Sequence, residues 1–531
     1  MPNDCITYQN SGYFSKLIVD YLDQKSELKS LYNRFPTLEN FRLQIEEKSK
    51  NFPIENREIL AKALLNQYQK FEISEATSTN IELLKKSNTY TITTGHQLNL
   101  FTGPLYFLYK IISVINLTKE LKTAYPENNF VPIYWMATED HDFDEINYFN
   151  FKGNKIQWKK ESNGPVGRLN NFGLKEVFEQ FSNELGLGNN ANYLRELFKN
   201  SYLEHDNLAD ATRYLANELF KNEGLVILDG DDSELKKLFI PFAKNELIHQ
   251  TSFKKVNESL PLLKEYNVQV NPREINLFYI QDNLRERIIF ENGNFKINNT
   301  LLSFSESEMV TELENNPKNF SPNVILRPLY QEVILPNLCY IGGGGEIAYW
   351  LELKSNFEAN NITFPILLVR NSVLLVTEKQ ASKLDKLNVS WEEIFLSQQS
   401  LSDKKTIEFS KFIIDFSEQK AILQKQFETL HEIAFQTDKS FTGAVKAQEK
   451  KQIKGLENLE KRLLKAERKN HAGKLERIFE IQNELFPNKS LQERNQNFSS
   501  FLNEIDNYDS FLSKIANNLE PLEQKFTIIT L

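Results

Sequence analysis

Three stretches of this chain carry residue types that can do chemistry. In TTGHQLNLFTGPLY (93–106), Gly95 allows a backbone to approach a ligand, and His96 sits on a turn where an imidazole can donate to phosphate or shuttle a proton. Gln97, Asn99, Thr102 and Gly103 follow just ahead of an apolar helix and add polar or unhindered groups. A tight turn with a hydrogen-bonded histidine is the plainer alternative. In TEDHDFDE (138–145), Glu139, Asp140, His141, Asp142, Asp144 and Glu145 crowd behind an apolar run. Such groups can hold magnesium, manganese or zinc, or supply a general base beside an imidazole; a solvated acidic loop is the alternative. In IGGGGEIAYW (341–350), Gly343, Gly344 and Gly345 expose free amides where a helix begins, with Glu346 as a charged partner. Neither the lysine of a Walker loop nor the spacing of a dinucleotide turn is present. Arg327 and Arg370, on either side of these glycines, can pair with carboxylates or phosphates of a substrate or with a buried carboxylate of the chain itself.

These stretches must be held by regular elements. TYTITT before Gly95, FVPIYWMA before Glu139, GLVILDGDD (224–232), the run before Gly342 and FPILLVRNS (364–372) read as five buried strands separated by helices or insertions. That order predicts an α/β fold, a doubly wound parallel sheet with ligands bound outside the carboxyl ends of its strands. Residues 1–88 have the three-four spacing of helices, as with Phe14, Leu17, Ile18, Tyr21 and Leu22. The core then spans 89–379, with insertions at about 151–223 and 245–320 in which NVQV, NLFYI, RERIIF and GNFKI read as short antiparallel strands. From 380 to 531 helix-forming, charged sequence takes over. Leu456, Leu459, Leu463 and Ala466, then Ile478, Ile481 and Leu485, have the seam pattern of an antiparallel or dimeric coiled coil. The basic run 461–477 reads as a solvated face of that helix, with phosphate binding as the alternative.

Composition narrows the classes. The 531 residues exceed one ordinary core, and a net charge of −9 speaks against a nucleic-acid coat or a polybasic membrane binder. The N-terminal MPNDCITYQNSGYFSK has no uninterrupted apolar run and the most apolar helix is interrupted by Lys110, so neither a secretory leader nor a membrane span is expected, and the reading is a cytoplasmic protein. Cys5 and Cys339 are the only cysteines, too far apart in sequence to suggest a redox pair or a metal knuckle. Cys339, within an apolar strand, reads as a packing residue.

Taken together, TTGHQLNLFTGPLYFLYK, VPIYWMATEDHDFDEIN, GLVILDGDD, LRPLYQEVILPNLCYIGGGGEIAYW and FPNKSLQER resemble the cysteine-adding enzymes (cysteine ligases) of bacillithiol biosynthesis, from about residue 10 to the end. The resemblance implies a Rossmann-like core with connecting-peptide insertions, similar to class I aminoacyl-tRNA synthetases, and a C-terminal α-helical coiled-coil domain that forms a homodimer. It implies joining L-cysteine to the glucosamine amine of glucosaminyl-malate by amide formation. ATP is then the expected activator of the cysteine carboxylate, with Mg2+ accompanying the nucleotide and no separate protein metal site. Thr94-Gly95-His96 is similar to the histidine-glycine-histidine turn of those synthetases, whereas their lysine-rich KMSKS motif has no counterpart. By the same resemblance, Gly95, His96 and Gln97 form the nucleotide or substrate turn, supported by Asn99 and Thr102. Asp140, His141 and Asp142 would serve the reacting amine, Arg327 and Gln331 would bind malate carboxylates, and Gly343–Glu346 would hold other polar groups. A metal-dependent nucleotidyltransferase or hydrolase using the 139–145 cluster, or a coiled-coil scaffold, are the other readings of the same residues.

Overall fold

The computed structural model describes residues 4–531. Its centre is a five-stranded, all-parallel sheet of β1 (Thr89–His96), β2 (Asn129–Met136), β3 (Val226–Asp229), β4 (Asn337–Gly342) and β5 (Ile366–Val369), ordered β5-β4-β1-β2-β3. Every residue of β1 is buried, as expected of a strand covered on both faces by crossover helices. Tyr90, Ile92, Phe130, Leu338, Ile341, Ile366 and Leu368 pack with Val114, Leu117 and Leu121 of helix α1 (Tyr106–Ala124) and with Phe41 and Ile45 of the helix Leu38–Asn51.

The chain runs outward from β1 through β2 to β3, then returns to add β4 and β5 on the other side. The crevice between β1 and β4 is therefore the switch point, where loops after adjacent strands diverge and leave room for a ligand. Buried polar groups secure this junction. Asn337 Oδ1 accepts from the hydroxyls of Thr91 (3.2 Å) and Thr93 (2.9 Å), its amide donates to Glu332 (2.7 Å), and Glu332 is paired with buried Lys48 at 2.9 Å. A one-residue slip of β4 would leave these groups unpaired.

Two excursions interrupt the sheet. A hairpin (Tyr148–Phe151 with Asn154–Gln157) and the helices Leu174–Leu185, Asn189–Tyr202 and Leu208–Phe220 separate β2 from β3. After α2 (Ser233–His249), a second sheet joins 277–281, 284–291, 294–297, 303–304 and 320–322. NVQV (267–270), read above as a strand, has no regular structure: Gln269 N donates to the carboxylate of Glu352 (2.8 Å) in place of a strand partner. A third small sheet, also unforeseen, pairs Asp4–Ile6 with Phe526–Thr530, which adjoins Ser372–Val376. Two of these strands lie at opposite ends of the chain, and the first is only three residues long, so no local pattern marks it.

Residues 376–489 form a separate compact unit of helices. Within it, α5 (Ser417–Phe435) and α6 (Lys439–Asn470) make an antiparallel hairpin: Lys420 pairs with Glu460 at 2.6 Å and His431 with Glu449 at 2.8 Å. Its tip is packed by Phe427, Ala434 and Val445. Of the seam read from sequence, Ile478, Ile481 and Leu485 are buried and Leu456 and Leu463 half-buried, while Leu459 and Ala466 are exposed. Residues 490–531 pack with the α/β unit. Their anchors are polar and non-local: Glu493 takes up Arg370, and the Asn497 amide donates to the carbonyls of Phe101 (2.7 Å) and Gly103 (2.6 Å). Among the described residues, no helix is long and apolar enough to cross a membrane.

Candidate active site at the carboxyl edge of the sheet

A cavity of about 420 Å³ opens at the switch point. β1 delivers Gly95 and His96 to its wall, and β4 delivers Tyr340. The loop and short helix after β4, α4 (Gly344–Trp350), supply Gly343, Gly345 and Glu346. Four cations line it: Lys110, Arg327, Arg370 and Arg494.

Each cation has a different environment. Lys110, the one charge in the first turns of α1, is buried, with its ammonium donating to Gly95 O at 2.6 Å and paired with Glu346 at 2.6 Å. Burial lowers the Lys110 pKa, and Glu346 works against that shift. For Glu346, burial would raise the pKa, but Lys110 and hydrogen bonds from Gly343 N–H and the Tyr340 hydroxyl hold it low. Arg370 turns the corner after β5 and makes a two-pronged pair with the buried Glu493 at 3.1 and 2.7 Å. Among the described residues, Arg327 forms no ion pair with a carboxylate. It opens helix α3 (Arg327–Ile334), donates to Gln331 Oε1 at 3.1 Å, and lies 5.5 Å and 5.6 Å from the ring centroids of Trp135 and Tyr340. Four cations with two carboxylates on them leave the pocket with two unbalanced positive charges.

Three buried nitrogens at this cavity have no hydrogen-bond partner: His96 Nε2, Arg327 Nη2 and Arg370 Nε. Unmade hydrogen bonds at buried polar atoms are costly, and convergent ones mark where a ligand completes them. Burial, reinforced by the charges of Lys110 and Arg370, holds the His96 pKa well below its ordinary value, so its imidazole is neutral at pH 7. It can offer or accept a hydrogen bond there, but contributes no charge.

The glycines divide their roles. A Cβ on Gly95 would come within 3.3 Å of the Tyr340 hydroxyl and 3.7 Å of Arg327 Nη1, so its smallness admits both side chains. Gly345 faces open space, whereas Gly344 packs toward Phe14 and Ile18 and does not line the cavity. The helix-start amide of Gly343 is already satisfied by the Glu346 carboxylate at 2.8 Å, which is thus the helix's own anion.

The acidic stretch 138–145 is dispersed by its partners. Glu139 pairs with Lys236. Asp140 accepts from Gln97 Nε2 (2.9 Å) and from His141 N–H (2.8 Å), and Gln97 also donates to Glu145 at 3.1 Å. Burial would raise the Asp140 pKa, but these hydrogen bonds and the Arg285 charge take it well below the carboxylate range. His141 Nδ1 lies 2.7 Å from Arg285 Nη1, and since a guanidinium only donates, Nδ1 must be the acceptor. The ligand atoms of Asp140, His141 and Asp142 come close enough to share a metal ion, but the first two are already engaged and a cation sits on the histidine. These residues do not fit a protein metal site.

Asp140, His141 and Asp142 instead line a second cavity of about 620 Å³, which shares Trp135, Ala137 and Arg327 with the first. Gln97 lines the first cavity and bonds to Asp140 in the second, joining the two. Besides Gly344, three residues singled out from sequence lie outside both. Gln331 is buried behind Arg327 and orients it. Asn99 donates to Glu145 O at 3.2 Å, and Thr102 is buried beside Asn497. The site residues missed were Lys110, Tyr106, Trp135, Tyr340, Tyr349 and Arg494. Lys110 alone had a readable signal, as a single charge within an apolar helix.

An all-parallel sheet with a cationic cavity at its switch point, two insertions between strands and an antiparallel helical hairpin toward the C-terminus define a Rossmann-like α/β protein with a coiled-coil domain. Residues 1–371 match the family model described as the N-terminal Rossmann-like domain of bacillithiol biosynthesis BshC, and residues 373–531 match its C-terminal coiled-coil domain. The chain belongs to the BshC family. A Flavobacterium johnsoniae protein named "Putative cysteine ligase BshC" is 65% identical over all of both chains. Relatives of the same name are 54% identical in Christiangramia forsetii, over 100% of this chain and 99% of that one, and 29% identical in Bacillus thuringiensis, over 94% and 95%.

Proposed function

We propose that this chain is a cytoplasmic ligase that adds L-cysteine to the glucosamine amine of glucosaminyl-malate, with the malate seated in the first cavity. The observation that carries the reading is the convergence there of Arg327 Nη2, Arg370 Nε and His96 Nε2, all buried and unpartnered, in a pocket with an excess of two positive charges. A dicarboxylate supplies the missing acceptors and the missing charge together. Arg327, carrying no carboxylate of the chain, is the principal anchor, with Gln331 fixing its orientation.

Forming an amide from a carboxylate and an amine requires that the carboxylate be activated, and ATP, with Mg2+, is the activator this reading assigns. The attacking amine must shed a proton. Asp140 is held too low to be a strong proton acceptor and is suited to orienting the amine, and the neutral His96, a weak base for the same reason, serves as a hydrogen-bonding group to the ligand. A metal-dependent hydrolase at 138–145 is disfavoured by the Arg285–His141 contact. Exposed Ile422, Ile433, Phe435, Phe441 and Leu459 on the helical hairpin support a homodimer through that domain.

The test is incubation of the purified chain with cysteine, glucosaminyl-malate and ATP, read by mass spectrometry. Bacillithiol with AMP and pyrophosphate indicates an adenylate, and with ADP and phosphate an acyl phosphate. Folded protein that yields no product under these conditions refutes the reading.

A further inference from the structure

The second cavity has a chemistry of its own. Arg273, Arg285, Arg287 and Arg327 line it. Against them stand Asp140 and Asp142, since Glu139 is taken up by Lys236. With Arg327 already counted in the first cavity, three arginines face two carboxylates, an excess of one positive charge. The Arg285 guanidinium is packed 3.8 Å above the Phe278 ring, which fixes its plane, and its Nε is buried without a partner. Among the described residues, the side chains of Arg273 and Arg287 have no ion-pair or hydrogen-bond partner. Because His141 Nδ1 accepts from Arg285, its neutral ring carries the remaining hydrogen on Nε2 and becomes a further donor.

Planar guanidinium groups with free N–H donors are the standard means of holding phosphate. The volume of about 620 Å³ far exceeds a single oxyanion, and Phe278, Pro322 and Val324 add an apolar wall on which a heterocycle can rest. We infer that this second cavity binds a phosphate-bearing co-substrate of the nucleoside triphosphate class, gripped by Arg273, Arg285 and Arg287 and lying beside the first ligand across Arg327. The inference rests on the ligase reading, which requires an activator for the carboxylate. It moves that activator away from the two glycine turns. At 343–346 the Glu346 carboxylate already occupies the helix start, and at 95–97 the backbone oxygen of Gly95 is taken by Lys110.

The experiment is calorimetric titration of the full chain with AMP-PNP and Mg2+, with inorganic tripolyphosphate and, separately, with L-malate as a probe of the first cavity. It is repeated on Arg285→Gln and Arg287→Gln; Arg287 is exposed, so its replacement leaves folding intact. AMP-PNP and tripolyphosphate are expected to bind the parent chain and to lose about tenfold or more in affinity in each variant, while malate affinity stays the same. Equal AMP-PNP binding to the parent and both variants places the nucleotide elsewhere and overturns the inference. Malate binding without AMP-PNP binding overturns it and leaves the ligase reading standing, whereas binding of neither ligand removes both.

Discussion

Replacing Arg327 with methionine separates a binding cation from a structural one. The side chain makes no ion pair; its partners are Gln331 Oε1 at 3.1 Å, the Tyr349 hydroxyl and the faces of Trp135 and Tyr340. Removing it forfeits two hydrogen bonds of about 1 kcal/mol each and two cation–π contacts of about 0.5 kcal/mol each. Methionine keeps most of the apolar stem in place, and a partly dehydrated charge is relieved, so the net change in stability should stay within about 1 kcal/mol. Binding responds differently. Two charge-assisted hydrogen bonds to a carboxylate, at about 1.5 kcal/mol each, amount to about 3 kcal/mol, or roughly 150-fold in Kd. Calorimetric titration with glucosaminyl-malate, beside urea unfolding of the same preparation, measures both. An unchanged Kd in a folded Arg327→Met chain, or a stability loss of several kcal/mol with no loss of affinity, refutes the assignment of Arg327 as the ligand's anchor.

Other residues should respond in distinct ways. Glu493→Gln strips the buried Arg370 of its counter-charge and should cost about 3–5 kcal/mol in urea unfolding while malate affinity does not fall, the reverse of the Arg327 pattern. Glu352 is buried and its pKa is pushed up to about 7 from 4.5, so the folded state holds more protons than the unfolded one between those values. Stability should then decline as pH rises from about 4.5 to 7, by at most about 3 kcal/mol from this group, and Glu352→Gln should flatten that part of the profile. Phe435→Glu, at a side chain 76% exposed on the helical hairpin, should convert a dimer to a monomer in sedimentation velocity without altering malate affinity; a parent chain that is monomeric at micromolar concentration removes the premise. Gly103→Ala should lower the melting temperature, because φ is +60° there and the new Cβ would lie 2.6 Å from that of Asn99.

What the sequence determined by itself was the fold and the edge at which to look. Strands rich in β-branched, aromatic and aliphatic residues at 89–96, 129–136, 226–229, 337–342 and 366–369 announce a sheet buried on both faces, and turn residues at their carboxyl ends follow from that geometry. Gly95, His96, Gln97, Gly343, Gly345 and Glu346 were legible because each sits at or beside such an end, and Arg327 as a cation upstream of the glycine run. What only the tertiary structure decided was pairing. Whether an arginine meets a ligand or a carboxylate of its own chain depends on residues far away in sequence: Arg370 is matched by Glu493, 123 positions on, while Arg327 forms no ion pair among the described residues. The same holds for Lys110, whose neutralising partner Glu346 arrives with a different strand, and for the acidic stretch, whose apparent metal set is broken up by Gln97, Lys236 and Arg285. A local pattern records which groups an element presents. It carries no record of the charges that long-range packing brings to them, and in a water-poor cavity those charges determine which groups remain free for a ligand.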